Sequence, residues 1–311
     1  MTDSGNDYRD PLDRLAAEEG WDKRVKAVES QVARDRRKAR LRRLRTPRQR
    51  GTARGPRERG ISLIFVALVA VLVASGWAMW AGIGPAQASV FIFVLTGWLV
   101  SLCLHEFSHA LVAHHGGDDT VMGKGYLRLD PLKYGHPVLT FILPLFFLLT
   151  GGLPLPGGAV LIETHRLRNR LQDALVSAAG PAINVVAAGI LLTVVSVAGP
   201  EAIYDLGEPQ AAFWSGLSLL AYLQVASAIL NLIPIPGLDG YGIIEPYLPY
   251  SIQSTGRKIR PFGILLIFLL LTLPPVRAAF SDLTQFFPDA AGAPINGIAY
   301  GYQLFQFWRG W

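Results

Sequence analysis

Long apolar stretches dominate the sequence from residue 60 onward, and they constrain the fold more than any other feature. Six of them occur, at about 61–83, 88–115, 137–162, 174–197, 211–235 and 261–276. A helix needs about 20 apolar residues to cross the roughly 30 Å hydrocarbon core of a bilayer. Only 17% of the residues are charged, against about 25% in soluble domains. The sequence therefore predicts an all-α polytopic membrane protein with about six transmembrane helices.

The third stretch, 137–162, differs from the others because glycines and prolines interrupt it between residues 151 and 158. Lys133 precedes it, and three arginines follow it at positions 166, 168 and 170. Basic residues at both ends do not suit a simple span, and irregular backbone at membrane depth is tolerated where it lines a cavity. We therefore expect a re-entrant or broken segment between the second and third core helices.

Most of the positive charge is concentrated in the N-terminal part of the chain. Thirteen Lys and Arg residues lie between positions 34 and 59, with only two acidic residues, whereas 11 basic and 13 acidic residues follow from position 60. We expect two parts: a basic tail at 1–60, partly helical or disordered, and a membrane-embedded domain at 61–311. The chain begins with charged residues, so a cleavable signal peptide is not expected.

The charge of the tail also predicts its location and its partner. Positively charged segments stay on the cytoplasmic side of a membrane and attract anionic lipid headgroups. Binding of nucleic acid is the alternative for such a basic run. The segment 34–59 contains no aromatic residue, which favours lipid over nucleic acid. We therefore expect a multi-pass protein of the plasma membrane, with its N-terminus in the cytoplasm.

The second stretch carries an HExxH motif near its far end, at residues 105–109. On a helix His105 and His109 lie one turn apart on the same face, so both can bind one Zn²⁺, and Glu106 is placed to act on the metal-bound water. The alternative is that three polar residues satisfy one another inside a helix bundle. Charged groups at membrane depth cost roughly 2.5–3.5 kcal/mol each and are usually functional, which favours the metal site.

Catalytic zinc usually has three protein ligands, so a third ligand is needed. Cys103 is the only cysteine, and the sequence therefore excludes a cysteine-based zinc site; the candidates are the remaining histidines (114, 115, 136 and 165) and the intramembrane acids. Loop charges predict that the second and fifth stretches both run towards the cytoplasm, which brings Asp239 to the depth of the motif. Asp239 is preferred, with a turn or helix-capping role as the alternative.

Residues 95–255 resemble the site-2 protease family of intramembrane zinc metalloproteases, in its compact bacterial subgroup. The matching segments are HEFSH at 105–109, LDPLK at 129–133, AGPAIN at 179–184 and NLIPIPGLDG at 231–240. The resemblance implies one zinc ion per chain, bound by His105, His109 and Asp239, with Glu106 as the general base.

Two asparagines belong to the same resemblance. Asn231 is similar to a family asparagine that holds the substrate backbone or stabilises the oxyanion. Asn184 matches a Gly-Pro-x-x-Asn element, and an interhelical hydrogen bond is an equally good explanation for it. The chain departs from the family pattern at Tyr241, where a second glycine is usual, and at 136–137, where His-Pro replaces Asp-Pro. Both departures could change the access of substrate. No loop is long enough for a PDZ domain, and nothing resembles a CBS domain.

These features together predict a zinc-dependent intramembrane endopeptidase that takes part in regulated intramembrane proteolysis. Its expected substrate is a single-span membrane protein, cut in or near its transmembrane helix, and the broken segment 137–162 is expected to admit and extend that substrate. One alternative is a catalytically inactive homologue that binds membrane proteins, against which the intact Glu106 argues. The other is a transporter with a metal or proton site, which would not need HExxH spacing. The sequence predicts no oligomeric state.

Overall fold

The computed structural model describes residues 30–31, 60–134, 145–146, 148–149, 160–199 and 209–309. Every regular element within these ranges is a helix, as the sequence predicts. Of the predicted tail, only residues 30, 31 and 60 fall inside them. The expected structure of the tail, and most of the third apolar stretch at 137–162, therefore lie outside the described residues.

The described helices of six residues or more are nine in number. They are α1 (Leu63–Trp80), α2 (Ala86–Gly116), α3 (Arg170–Ala198), α4 (Pro209–Leu232), α5 (Asp239–Ile244), α6 (Tyr250–Ile259), α7 (Gly263–Thr272), α8 (Pro274–Ala290) and α9 (Ile295–Phe305). A one-turn helix at Thr120–Gly123 follows α2, and short 3₁₀ turns lie at Tyr126–Arg128, Pro131–Lys133, Thr164–Arg166, Glu245–Tyr247, Arg260–Phe262 and Phe307–Arg309.

Helices α1 to α4 are each long and apolar enough to cross a bilayer. They coincide with four of the six predicted stretches, those at 61–83, 88–115, 174–197 and 211–235, so long apolar helices are present at these four. The described part of the chain contains a fifth crossing only if the helical run 250–272 and α8 together form one bent span.

The sixth predicted stretch, 261–276, is not one straight helix, and its crossing of the bilayer stays a prediction. The helical run that ends at Thr272 and helix α8 meet at an angle of 96°. Leu273 between them has φ −74° and ψ 122°, the extended conformation that a following proline imposes on its neighbour. Pro274 therefore ends α7, and the apolar pattern continues across a break in the helix.

Helix α4 lies at the centre of the bundle. Its apolar window is 83% buried, against 17–44% for the other three spans, and it packs against α1, α2, α3 and α9. The Ser101 hydroxyl on α2 donates a hydrogen bond of 2.5 Å to Oε1 of Gln224 on α4. Interhelical hydrogen bonds of this kind fix the register of packed apolar helices. This one lies a turn before His105 on α2 and two turns before Asn231 on α4.

Candidate metal centre

Three of the predicted site residues meet where α2 passes the start of α5. Nε2 of His105 lies 3.1 Å from Oδ2 of Asp239, and Nε2 of His109 lies 3.4 Å from the same oxygen. The two Nε2 atoms are 3.1 Å apart. Zinc binds nitrogen and oxygen at about 2.0–2.1 Å in a tetrahedron, whose edges are then about 3.3 Å. The three atoms thus form a face of the size that a tetrahedral metal ion requires.

Two glycines let the chain turn Asp239 back towards α2. Helix α4 ends at Leu232, and short turns carry the backbone through residues 233–238. Gly237 has φ 107°, in the region that favours glycine. A Cβ at Gly240 would overlap the carbonyl of Leu232. The Gly-Leu-Asp-Gly sequence therefore allows the close return that places the carboxylate beside both imidazoles.

Helix α3 orients both imidazoles through their outer nitrogens. Nδ1 of His105 lies 3.2 Å from Oδ1 of Asn184, and Nδ1 of His109 lies 2.6 Å from the carbonyl oxygen of Val176. A carbonyl only accepts, so each Nδ1 carries the proton and each Nε2 offers its lone pair to the centre. Asn184 therefore fits both explanations given for it. It makes an interhelical hydrogen bond, and the partner in that bond is a predicted metal ligand.

Gly180 lies on α3 between these two acceptors and makes the close approach possible. A Cβ at this position would meet Nε2 of both His105 and His109. Any side chain here would therefore occupy the space on which the three donor atoms converge. The sequence indicated Gly180 only as part of a motif and assigned it no role. The Val176 carbonyl was missed altogether, because a backbone acceptor leaves no signal in residue types.

The three converging side chains fit a zinc ion better than a cluster of polar residues that only hydrogen-bond to one another. Oδ2 of Asp239 is buried and accepts no hydrogen bond in the described structure. Because Nδ1 holds the proton in both imidazoles, neither Nε2 can donate to it while the ring is neutral. A buried carboxylate without a partner is costly. Two nitrogens and one oxygen that converge on one point are the ligands that catalytic zinc takes, with a fourth position left open.

Glu106 and Asn231 line the same cavity as the three donor residues, a space of about 530 Å³. Both side chains are buried. Oε2 of Glu106 accepts a hydrogen bond of 3.3 Å from the Val160 N–H. Asn231 belongs to the last turn of α4 and thus lies close to the return of the chain towards Asp239. The structure therefore brings all five predicted site residues to one cavity.

The lining of the cavity also contains charged residues that are not among the predicted site residues. They are Asp173, Glu245, Arg257 and Arg260, and Arg260 forms an ion pair of 2.6 Å with Glu245. Tyr241, which replaces a family glycine, is buried, and its hydroxyl donates to the Ile252 carbonyl at 3.4 Å. This departure from the family pattern thus supports α6, which borders the cavity.

The other candidate ligands do not join the cluster. His114 lies beside Asp119 at 3.3 Å, His115 bonds the Leu111 carbonyl, and His165 is an exposed residue near Glu163. His136 lies outside the described residues. Cys103 is fully buried in an apolar cluster.

The structure combines a bundle of apolar helices with two histidines, an aspartate and a glutamate in one cavity. These features are typical of membrane proteins with a metalloprotease centre. Comparison with known proteins agrees. The chain is 42% identical over 254 residues to "Putative zinc metalloprotease Rip2" of Mycolicibacterium smegmatis, covering 80% of this chain and 95% of the relative. The Mycobacterium tuberculosis H37Rv protein of the same name is 39% identical over the same shares.

A more distant relative is "Putative zinc metalloprotease YwhC" of Bacillus subtilis, 33% identical over 60% of this chain and 83% of the relative. No family model and no solved structure matches the chain. The chain belongs to the site-2 protease family of zinc metalloproteases.

Proposed function

We propose that this protein is a zinc-dependent intramembrane endopeptidase. One observation carries the proposal: the HExxH motif of α2 and Asp239 after α4 meet at 3.1–3.4 Å around a buried carboxylate oxygen that accepts no hydrogen bond from the described residues. His105 lies 11 residues before the end of α2, or about 16 Å along the helix at 1.5 Å per residue. This position supports a site within the span rather than beyond its end.

His105, His109 and Asp239 would hold the zinc ion. Bound zinc lowers the pKa of water to about 7 and polarises a carbonyl group. Glu106 accepts the proton of the attacking water and passes it to the leaving amine. Asn231 lines the same cavity and donates from its side-chain amide to the substrate backbone or to the oxyanion, where one such donor contributes about 10²–10³-fold in rate.

The substrate we propose is a single-span membrane protein, cut in or near its transmembrane helix in the course of regulated intramembrane proteolysis. A backbone amide inside such a helix is bonded to its own turn, so cleavage requires local unwinding. We assign that task to the segment 137–162 because of its glycines and prolines. Cleavage that is unchanged after replacement of both residues at 157–158 by alanine would contradict this assignment.

We further propose a multi-pass protein of the bacterial plasma membrane, with its N-terminus in the cytoplasm and its basic tail against anionic lipid headgroups. The curated relatives come from bacteria. An N-terminal reporter that is accessible only from the cytoplasm would support this topology. Binding of the 1–60 segment to vesicles with and without anionic lipid would test the lipid contact, with a nucleic acid as the competing ligand.

The decisive experiment compares the purified protein with its Glu106→Gln variant in detergent, with Zn²⁺ and a candidate single-span substrate. Cleavage by the wild type alone supports the proposal, and equal cleavage by both proteins would refute the role of Glu106. Zinc bound by Glu106→Gln but lost from His109→Ala and Asp239→Ala would establish the ligands. A non-catalytic membrane-protein binder would cleave nothing and would have no use for a buried glutamate in the cavity.

A further inference from the structure

Asp118 is a buried acid that the proposed reaction does not use. It follows the C-terminus of α2, and none of its surface is exposed. Its Oδ1 accepts hydrogen bonds from the Thr120 N–H at 3.0 Å and the Thr120 hydroxyl at 2.6 Å. Its Oδ2 accepts a bond of 2.8 Å from the backbone N–H of Glu163, which is distant in sequence. One carboxylate thus joins the end of α2 to a segment that enters the cavity wall.

That segment, residues 160–163, has no regular secondary structure and is held from two sides. The Leu161 carbonyl accepts a bond of 2.6 Å from Lys124 Nζ, and the Leu161 N–H donates to the Tyr126 hydroxyl at 3.4 Å. On the other side, the Val160 N–H donates to Oε2 of Glu106. The segment therefore connects the loop after α2 with the glutamate of the HExxH motif.

Asp118 makes a short, charge-assisted contact with this segment. Its bond to Glu163 is charge-assisted and partly buried, and such bonds are about twice as strong as neutral ones. The bond from the Leu161 N–H to the Tyr126 hydroxyl is long, and the bond from Lys124 to the Leu161 carbonyl is solvent-exposed. Burial alone raises the pKa of Asp118, but the bonds from Thr120 and from Glu163 bring that pKa below its ordinary value. The carboxylate is thus ionised and able to accept on both oxygens at neutral pH.

We propose that Asp118 is a positioning residue for the glutamate of the motif. By holding the Glu163 N–H it keeps the 160–163 segment in place, and the Val160 N–H then holds Glu106 Oε2 in one orientation. This role rests on the proposed proteolytic function, because Glu106 needs a fixed orientation only if it transfers protons. Asp118 contacts no predicted metal ligand among the described residues, so its effect on zinc binding is expected to be small.

Two matched pairs of variants isolate the contact. Asp118→Asn keeps the shape of the side chain but has one acceptor oxygen, so it cannot serve both Thr120 and Glu163. Its control is Asp119→Asn, which removes the same charge one residue later, at an exposed side chain. On the donor side, Glu163→Pro removes the N–H, and the φ of −90° at this residue is close to the range of proline. Its control is Glu163→Ala, which loses the carboxylate but keeps the N–H.

Each variant is measured in three ways: amide hydrogen exchange of residues 160–168, zinc affinity, and kcat and KM on a single-span substrate. We expect Asp118→Asn and Glu163→Pro to exchange about tenfold faster or more in this segment. We expect their kcat to fall about tenfold to a hundredfold, with zinc affinity and KM within about threefold of wild type. Asp119→Asn should match wild type. Glu163→Ala loses the ion pairs of its carboxylate with Lys124 and Arg166, so the effect of the N–H is measured as the difference between Glu163→Pro and Glu163→Ala. The double variant with Asp118→Asn and Glu163→Pro should have the same exchange rate and kcat as the single variants, because both substitutions remove the same contact.

Unchanged exchange in both variants would overturn the proposed contact. Faster exchange with normal kcat would overturn the positioning role. A loss of zinc in proportion to activity would assign Asp118 to general stability of the fold instead. If the wild type shows no Glu106-dependent cleavage, the proposed function fails and the positioning role fails with it. The exchange data would still decide whether Asp118 holds the segment.

Discussion

Replacement of Gly180 by alanine should remove zinc while leaving the helix intact. A Cβ on Gly180 would contact Nε2 of both His105 and His109, so the new methyl group and the metal ion compete for one space. Gly189 provides a matched control on the same helix, because it is exposed and a Cβ there meets nothing within 4 Å. Alanine favours a helix over glycine by about 1 kcal/mol, and both variants share this gain.

The magnitude follows from what the methyl group displaces. Loss of an outer hydrogen bond to a metal ligand costs about 10–100-fold in metal affinity, and displacement of both imidazoles should cost at least the upper value. We therefore expect Gly180→Ala to bind zinc at least about 100-fold more weakly, or about 2.8 kcal/mol. Gly189→Ala should bind zinc like the wild type and should unfold at the same or a slightly higher temperature.

Zinc affinity is measured by competition with a chromophoric chelator in detergent, and zinc stoichiometry by elemental analysis. Circular dichroism shows whether both variants keep their helices. Wild-type zinc affinity in a folded Gly180→Ala protein would refute the placement of α3 against the imidazoles. Equal losses in both variants would point to helix α3 as a whole rather than to the space at Gly180.

Three further predictions concern the residues around the cavity. Glu106→Gln should keep zinc and lose at least about 10²-fold in kcat, the lower end of the contribution of a general base. Asp239→Ala should lose zinc. Loss of zinc from Glu106→Gln would instead place Glu106 among the ligands. Asn184→Ala should weaken zinc binding about 10–100-fold, and an unchanged affinity would show that its bond to His105 is dispensable. Gly256→Ala should destabilise the protein by about 1–3 kcal/mol through overlap with the Tyr241 hydroxyl. Thermal unfolding measures this loss of stability. In a Tyr241→Ala background Gly256→Ala should no longer destabilise the protein, and a remaining loss of stability would contradict the contact.

The positions of the spans follow largely from local sequence. A run of about 20 apolar residues is sufficient to predict a helix in lipid, and α1 to α4 lie where such runs occur. The break before Pro274 shows the limit of this argument. The apolar run continues from α7 to the proline, yet the proline restricts Leu273 to an extended conformation and turns the next helix by 96°.

The site, too, has features that the local sequence predicts and features that it does not. HExxH spacing is a local property of a helix. The loop charges, which predict that the second and fifth apolar stretches run in the same direction, were sufficient to predict that Asp239 would reach the depth of His105 and His109. The relation between α2 and α3 could not be read in this way. Which carbonyl on α3 accepts from His109, and why residue 180 has no side chain, depend on the rotation of one helix against another.

The sequence by itself determined which helices are long and apolar enough to cross a bilayer and which residue types can bind a metal, because both depend on neighbours along the chain. Only the tertiary structure decided how these residues are held: Asn184 and Val176 orient the imidazoles, Gly180 leaves the space, and Asp118 joins the loop after α2 to the segment beside Glu106. Each of these contacts joins residues far apart in sequence. Their geometry is set by the packing of whole helices, which no local pattern encodes.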